Sequence, residues 1–358
     1  MGSKWKHRDE SKKISDSVVK SKTTEELIQA RDFIETLLKL RKLEKLYKTY
    51  IMGTTKAITY NDQNKVYVSF NLDGTATGRL SCTGYSGNKG NSMGISFHTL
   101  PRDKEHNIRD IFVAPAGWDF ITSDYNAMEL RILAHIANEQ GMKSAFIEGK
   151  DLHTHTASLV FGKPEEKITT EERQIAKTVS FLIVYGGGAF NLSETMNIPL
   201  KKSEDIISQY ATVFPGVFKY MRQTTAAIEE DGYITTIFGR RRNLPDTQSS
   251  VPKIRNRANR QGLNFTVQSA ASDVLVCAVL GIVDTIKNRG LKAIFQATVH
   301  DSLEFICPKA ETPEVCSIIE DEMVNCNYMK ASLGINLDVP LTVDIEVGSS
   351  FGNGVPYE

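Results

Sequence analysis

The sequence lacks the cysteine patterns of a disulfide framework or a zinc site. Its five cysteines are odd in number and scattered, and no two stand at CxxC spacing, which argues against both kinds of site. We therefore expect free thiols in a cytoplasmic protein, in which the Asn-x-Ser/Thr triplets at Asn191 and Asn264 have no meaning as glycosylation sites. The cysteines are Cys82, Cys277, Cys307, Cys316 and Cys326.

Long hydrophobic runs are also absent. The sequence contains no uninterrupted apolar run of about 18 residues, which excludes a membrane span. The start, MGSKWKHRDESKK, is polar and basic and has no apolar core of a secretory signal. With 358 residues, of which 41% are hydrophobic and 24% charged, we expect a soluble protein of two or three lobes, since single cores stop growing before this length.

A charge excess of either sign is absent, because 43 basic residues balance 43 acidic ones. The overall charge therefore gives no indication of a polyanionic partner. Basic residues are nevertheless clustered. Each cluster alone is best explained as a solvated helix face, but three of them modestly favour a phosphate-rich ligand. The clusters lie at 39–48, 240–242 and 253–260.

The hydrophobic pattern predicts helices and strands without a regular βαβ alternation, which indicates an α+β protein. Helices are predicted at 24–50, 128–136 and 252–288, and also from 136 to about 235 with breaks at Gly162–Pro164, Gly186–Gly188 and Phe214–Gly216. Strands are predicted at 66–70, 118–124, 292–299, 303–307 and 340–347, and an irregular stretch at 71–102.

The stretch TVHDSLEF (298–305) places Asp301 between two strand-like runs. Taken alone, this Asp is best explained as a hairpin-turn residue that caps nearby N–H groups. A second carboxylate, Asp124, ends the predicted strand at 118–124, and the carboxyl end of a strand is a common position for catalytic groups. A functional interpretation of Asp301 therefore depends on the partners that the fold supplies.

The segment ERQIAKTVSFLIVYGGG carries four side chains of suitable chemistry at a spacing of four residues. On a helix this spacing gives one slowly drifting stripe of roughly 18 Å, about the length of a nucleoside triphosphate. The two cations suit phosphates, and the two aromatic rings suit a sugar and a base. The alternative is a solvated cationic turn that continues into the core, and the three glycines that follow are most simply a helix C-cap and hinge. The four residues are Arg173, Lys177, Phe181 and Tyr185.

A third set lies in NRQGLNFTVQ, where Arg260, Asn264 and Gln268 repeat every four residues on a predicted helix. The face offers a guanidinium and two amides, which can contact minor-groove acceptors on any base pair. Capping and solvent exposure are the alternative explanation for these residues.

The segments SDYNAMELRILAH, RQIAKTVSFLIVYGG and TVHDSLEF occur in this order and resemble motifs A, B and C of family A DNA polymerases, the bacterial polymerase I group. The similarity is dense from about Tyr50 to Gly348 and includes TATGRLS, IRDIFVAP, KDLHTHTASLVFG, FGRRRNLPD and RQGLNFTVQSAASD. The complete RxxxKxxxFxxxYG spacing is highly specific. The resemblance implies template-directed DNA synthesis from deoxynucleoside triphosphates, on a right-hand α+β fold with an antiparallel palm sheet and helical fingers.

By this resemblance, Asp124 and Asp301 hold two Mg²⁺ ions, with Mn²⁺ as an alternative, and the main-chain carbonyl of Tyr125 completes the metal shell. One ion would lower the pKa of the primer 3′-hydroxyl, and the other would stabilise the leaving pyrophosphate. Glu129 corresponds to the steric gate that excludes a ribose 2′-hydroxyl.

The resemblance assigns the other candidates to the nucleotide and the DNA. Phe181 would pack on the sugar, and Tyr185 would lie beside the nascent base pair. The triphosphate would be held by His153, Arg173 and Lys177. The primer terminus of the primer-template DNA and the nearby minor groove would be contacted by Arg79, Arg260, Asn264, Gln268 and His300.

The resemblance also implies domain bounds, with a thumb remnant at 1–50, palm at 51–135 and 240–358, and fingers at 136–239. Family members carry a full thumb and an exonuclease-type domain before the palm. We therefore expect no proofreading in this chain, which is either a fragment or the partner of a separate chain that carries thumb and exonuclease elements. A phage or bacterial source, and thus the cytoplasm of a bacterial cell or an infected host, is the natural expectation.

Two departures from the family pattern stand out. Ser302 occupies the position where the family usually has Glu. We expect activity to survive there with altered metal affinity, and Ser302→Glu to be tolerated or beneficial. The family's Ser-Gln-Ile is replaced by residues 126–128, Asn-Ala-Met, which puts fidelity and primer contacts in doubt more than chemistry. Two alternatives stay open. One is a single-subunit RNA polymerase, which the gate at Glu129 opposes, and the other is a catalytically weak DNA-binding subunit of a split polymerase.

Overall fold

The computed structural model describes residues 24–61, 64–86, 92–93, 95–102 and 105–357. The polar N-terminal segment, with its predicted lack of a secretory signal, lies outside the described residues, and so does the start of the predicted thumb remnant. The chain forms two compact units, residues 1–68 with 84–95 and residues 69–83 with 96–358. The predicted bounds of thumb, palm and fingers are not tested by this division and stay predictions.

The first unit is mainly helical. Helix α1 (Thr24–Lys45) has acidic residues in its first turn and basic residues in its last, which suits the helix dipole. A π-helical turn at Leu46–Ile51 buries Tyr50 and leads into α2 (Met52–Asn61). The helices predicted at 24–50 are confirmed, and the helical conformation continues beyond them.

Three short strands follow: β1 (Val68–Asn71), β2 (Ser81–Ser86) and β3 (Ser92–Met93). Strand β2 pairs antiparallel with β3, and Tyr85 lies opposite Met93. The prediction of an irregular conformation at 71–102 is therefore wrong for the residues that form β2 and β3. Their Ser- and Gly-rich composition hides them, because strand formation depends more on pairing partners than on local propensity.

The second unit is built on an antiparallel sheet of five strands in the order β10-β9-β4-β8-β7. Strand β4 lies at its centre and pairs with β8 on one side and β9 on the other. Because side chains alternate along a strand, Ile121 faces the hydrophobic core while Thr122 and Asp124 lie on the opposite face. The strands are β4 (Trp118–Tyr125), β7 (Ile294–Val299), β8 (Ser302–Pro308), β9 (Val343–Gly348) and β10 (Val355–Pro356).

Seven helices lie between β4 and a short hairpin, β5 (Tyr233–Thr235) and β6 (Arg241–Asn243). Their ends follow local signals: the Asp151 side chain caps one N-terminus, Thr169 and Glu172 form a capping box at another, and Gly162 ends a helix at a φ of 64°. All three predicted breaks are confirmed. The helices are α3 (Met128–Ile136), α4 (Gln140–Ile147), α5 (Leu152–Phe161), α6 (Thr170–Val184), α7 (Ala189–Met196), α8 (Leu200–Val213) and α9 (Pro215–Asp231).

The longest helix, α10 (Pro252–Asn288), packs through the core and is followed by α11 (Thr312–Asn325) and α12 (Asn327–Leu333). By length and composition alone α10 could cross a membrane, so the exclusion drawn from the sequence was too strong. However, 61% of its most apolar stretch is buried inside the protein, which is also the pattern of a core helix.

The fold class and the thiol state agree with the sequence predictions. Helices make up 59% and strands 14% of the described residues, which confirms the mixed α+β class. All five cysteines are free and buried, so the predicted absence of a disulfide framework is confirmed. Burial raises the pKa of Cys316 and of Cys326 to about 12, which makes both thiols unreactive at neutral pH.

Candidate active site

Asp124 and Asp301 lie at the same end of the central sheet. Asp124 is the second-last residue of β4, and Asp301 lies in the turn between β7 and β8, where His300 has a φ of 61°. The strand register sets Asp124 opposite Ser302, the residue directly after Asp301. In addition, the N–H of Tyr125 donates to the Asp301 carbonyl at 3.3 Å. The hairpin turn predicted for Asp301 is confirmed, and this turn brings the carboxylate to the end of β4.

The two carboxylates differ in their surroundings. Burial raises the pKa of Asp301, with Arg79 acting against that rise and Asp124 adding to it. Asp124 is 36% exposed, and its Oδ2 accepts a hydrogen bond from Arg102 at 3.1 Å. Two neighbouring carboxylates favour a bound cation, which neutralises both. Among the described residues no three His, Cys, Asp or Glu side chains could hold a metal ion by themselves, so a cation here would also need main-chain or substrate oxygens.

The stripe predicted on α6 has the expected orientation. The opposite face of the helix, with Ile175, Val179 and Ile183, is buried in the core. The stripe residues are half-buried or exposed, and Tyr185, which is 42% exposed, forms the C-cap. The structure therefore confirms the helix and its two faces, whereas the nucleotide contacts stay predictions.

The cationic end of the stripe is organised by a side chain that the sequence analysis did not identify. Asp151 binds Arg173 in a bidentate pair, with Nε–Oδ1 at 3.1 Å and Nη2–Oδ2 at 2.8 Å. Although burial acts in the other direction, the hydrogen bonds from Arg173 and Thr154 lower the pKa of Asp151 well below its usual range. Because the Arg173 fork is held from one side, its Nη1 group is presented in a fixed direction.

His153 lies next to this pair. Its ring centroid is 6.0 Å from that of Phe181, and its buried Nδ1 has no partner in the part of the chain that the structure describes. Burial lowers the pKa of His153 to about 4; the charge of Asp151 opposes this effect, and those of Lys177 and Arg173 add to it. The imidazole is therefore neutral at pH 7, and its buried Nδ1 makes no hydrogen bond within the described residues.

Glu129 connects three segments of the chain. The residue is 4% exposed, and its carboxylate accepts hydrogen bonds from the Arg79 guanidinium, from the Tyr185 hydroxyl at 3.0 Å and from Gln268. Burial raises the pKa of Glu129, while the charge of Arg79 acts against that rise. The predicted gate is thus fixed in position by groups from the loop before β2, the end of α6 and the middle of α10.

Only part of the polar face predicted on α10 contacts the hydrogen-bonded group around Glu129. Gln268 is buried and reaches Glu129. Arg260 is exposed and packs on Gly186, where an added Cβ would lie 2.7 Å from the Arg260 Cγ and φ is +65°, so a glycine is needed for two reasons. Asn264 lies on the same face, and its buried Oδ1 has no partner among the residues described.

His300 stacks on His98 with ring centroids 5.7 Å apart and an interplanar angle of 27°. Both rings line a cavity of about 130 Å³, which also borders Arg79 and Asp301. Burial lowers the pKa of both imidazoles. The cavity therefore connects two of the predicted DNA-binding residues with one of the two carboxylates.

Four residues of the site were not predicted. Asp151 had a usable signal, because an Asp directly before an apolar-periodic helix is a typical N-cap. His98 and Arg102 stand in an irregular segment that offers no periodicity, and Glu304 looked like an ordinary strand residue. All four reach the site only through tertiary packing.

Comparisons with known proteins agree with one another. The family model of DNA polymerase family A matches residues 3–353. The thermostable DNA polymerase I of Thermus caldophilus is 33% identical over 327 residues, which cover 91% of this chain and 37% of the relative. The DNA polymerase I of Chloroflexus aurantiacus is 32% identical over 338 residues, covering 94% and 34%. The chain therefore spans little more than a third of the length of these relatives.

A solved structure is similar over most of the chain. It is the POL domain of Pol1 from M. smegmatis in complex with DNA primer-template and dNTP, with a TM-score of 0.80 and 31% identity, and the match covers 90% of this chain and 54% of that one. Together with the antiparallel sheet and its helices, this similarity confirms the predicted polymerase fold.

Proposed function

The chain belongs to DNA polymerase family A, and we propose that it catalyses template-directed DNA synthesis by adding deoxynucleotides to a primer 3′-hydroxyl. The observation that carries the proposal is the position of Asp124 and Asp301 at one end of the central sheet, where β4 pairs with β8. Primer-template DNA and dNTP are bound in the solved relative, which supports the same ligands for this chain.

We propose that divalent cations, two Mg²⁺ or Mn²⁺, bind to Asp124, Asp301 and the carbonyl of Tyr125. The donor set fits, because all three groups offer the oxygen ligands that these ions prefer. Such ions supply acidification of the primer 3′-hydroxyl and charge neutralisation at the leaving pyrophosphate. The chain's own contribution is alignment: the β4–β8 pairing fixes the spacing of the two carboxylates, on which phosphoryl transfer depends.

The nucleotide site is proposed along α6. Arg173, Lys177 and His153 would bind the triphosphate, with Asp151 holding the arginine in place. Phe181 would pack on the sugar, and Tyr185 would lie beside the nascent base pair. The distribution of charge supports this orientation, since cations and rings occupy opposite ends of one helical face.

Selection for deoxynucleotides is assigned to Glu129. A carboxylate held by Arg79, Tyr185 and Gln268 cannot turn away to admit a 2′-hydroxyl without breaking several hydrogen bonds. This restraint favours a DNA polymerase over the alternative of an RNA polymerase. A separate chain with thumb and exonuclease elements, and a cytoplasmic location, stay predictions.

The proposal is tested by primer extension with Asp124→Asn and Asp301→Asn. Each change removes charge at the metal site while nearly preserving side-chain volume. We expect extension to fall by at least about 1,000-fold, since metal-bound charge stabilisation is lost, while DNA binding measured by fluorescence anisotropy stays within a few-fold.

Glu320→Gln is the matched control, because it removes an exposed carboxylate from α11. This variant should extend primers like the unmodified chain. Extension that persists in Asp124→Asn or Asp301→Asn would overturn the assignment. A wild-type chain that binds DNA but never extends a primer would support the alternative of a catalytically weak DNA-binding subunit.

A further inference from the structure

A buried carboxylate lies near the two carboxylates of the active site, two residues further along the β4–β8 pair. Glu304 of β8 is 1% exposed. Its Oε2 accepts a hydrogen bond from the Thr122 hydroxyl at 2.6 Å, and its Oε1 accepts one from the Ser302 hydroxyl at 2.7 Å. Within the described residues no cation lies close enough to form an ion pair with it. Such a group is costly to bury, so its two hydroxyl partners call for an explanation.

The sheet register shows which groups this arrangement connects. Thr122 lies opposite Glu304, and Asp124 lies opposite Ser302, so all four side chains share one face of the β4–β8 pair. Each hydroxyl stands close to a metal-binding candidate: Thr122 precedes Asp124 by two residues, and Ser302 directly follows Asp301. Glu304 therefore joins the strand that carries one carboxylate to the turn that carries the other.

The Ser302 hydroxyl adds a second connection. Its Oγ lies 2.7 Å from Glu304 and 2.9 Å from the carbonyl of Val299, at the other end of the turn. A hydroxyl has one proton, so it donates to one acceptor at a time. When Glu304 is ionised it competes with Val299 for this proton, and the state of Glu304 thereby influences the turn that contains His300 and Asp301.

We propose that Glu304 is a positioning residue of the polymerase reaction, which acts through Thr122 and Ser302 to hold Asp124 and Asp301 at their working separation. This inference rests on the proposed function. It also accounts for the serine at position 302. A glutamate there would be fully buried against Glu304, so the expectation that Ser302→Glu is tolerated does not agree with the geometry.

The inference is tested by two substitutions at Thr122 that separate the hydroxyl from the side-chain shape. Thr122→Val keeps the branched shape but loses the donor to Glu304, whereas Thr122→Ser keeps the donor and loses a methyl group. Glu304→Gln removes one acceptor at constant shape. The control is Ser123→Ala on the same strand, which also deletes a buried hydroxyl, one that donates to the Leu303 carbonyl at 3.2 Å on the core face.

Two kinds of measurement are needed. The first is single-nucleotide extension, from which kcat and the KM for dNTP are obtained. The second does not depend on turnover: Mn²⁺ binding to the DNA-free protein, followed by electron paramagnetic resonance. Thermal unfolding of every variant shows whether the fold is retained.

We expect Thr122→Val and Glu304→Gln to lower kcat or Mn²⁺ affinity by about 10- to 100-fold, the range found for outer partners of metal ligands. The KM for dNTP should change by less than about threefold, because the triphosphate is bound by α6. Thr122→Ser should retain most of the activity. The double variant Thr122→Val with Glu304→Gln should lower kcat and Mn²⁺ affinity little more than either single change, because both changes affect the same carboxylate.

Equal kcat and equal Mn²⁺ affinity in Thr122→Val and Thr122→Ser would overturn the inference, and so would an equally large loss in Ser123→Ala. If Glu304→Gln does not fold, the two Thr122 variants still decide the question. A wild-type chain without extension activity would instead refute the proposed function, and the Mn²⁺ measurement would then still test the positioning role.

Discussion

The burial of Glu304 predicts a pH-dependent gain in stability for Glu304→Gln. Burial raises the pKa of Glu304 from its usual 4.5 to about 7. The charge of Asp124 adds to this rise. It is opposed by the hydrogen bonds from Thr122 and Ser302 and by the charge of Arg109. In a group with a raised pKa the folded state binds the proton more tightly than the unfolded state. The resulting stabilisation is complete below about pH 4.5 and is lost as the pH rises through about 7.

The size of the effect follows from the two pKa values. At about 1.4 kcal/mol per pKa unit, a rise from 4.5 to about 7 corresponds to roughly 3 kcal/mol of unfolding free energy. Glutamine is neutral at every pH and does not lose this contribution. Relative to the wild type, Glu304→Gln should therefore become more stable by about 2 to 3 kcal/mol between pH 5 and pH 8.

The assay is urea unfolding of the metal-free protein in EDTA, followed by circular dichroism at pH 5, 6, 7 and 8. The quantity of interest is the difference in unfolding free energy between variant and wild type at each pH, because other titrating groups are common to both proteins. Glu320→Gln, with its exposed carboxylate, should show a nearly constant difference. A constant difference for Glu304→Gln as well would refute the claim that Glu304 is buried without a compensating charge.

Three further predictions concern the site. Glu129→Ala opens space beside C2′, so the ratio of ribonucleotide to deoxynucleotide incorporation should rise at least about tenfold; an unchanged ratio would remove Glu129 from the gate. Phe181 has no hydroxyl to replace the 3′-hydroxyl of the nucleotide, so the wild type should discriminate against dideoxynucleotides and Phe181→Tyr should relax this; equal selectivity in competition assays would contradict the sugar contact. Ser302→Glu should lower both activity and melting temperature by setting two buried carboxylates side by side, and Ser302→Glu with Glu304→Val should recover part of both; a fully active single variant would show that the site accepts both charges.

Much of the fold could be predicted from the sequence because the signals are local. The stripe on α6 follows from a spacing of four residues and the 3.6-residue helical period. The ends of α5 and α9 follow from Asp151, Gly162 and Pro215, whose preferences act within one turn. The turn at Asp301 follows from a polar break between two strand-like runs. None of these inferences requires a distant residue.

The strands between 71 and 102 show where local signals end. Strands β2 and β3 are short and have few apolar residues, so their stability depends on pairing rather than on composition. The same limit applies to α10, whose apolar length fits either a membrane span or a core helix. In the folded chain 61% of its most apolar stretch is buried, which is the pattern of a core helix, and burial cannot be read from composition alone.

Local sequence patterns therefore identified the candidates for chemistry, which are the carboxylates Asp124 and Asp301 and the cations and rings of α6, and the family to which the chain belongs. The contacts that hold these candidates in place depend on the folded chain. Thr122 and Glu304 are 182 residues apart in sequence, and Glu129 and Tyr185 are 56 apart. Such contacts arise from strand register and helix packing, which many distant side chains fix together and no local pattern encodes.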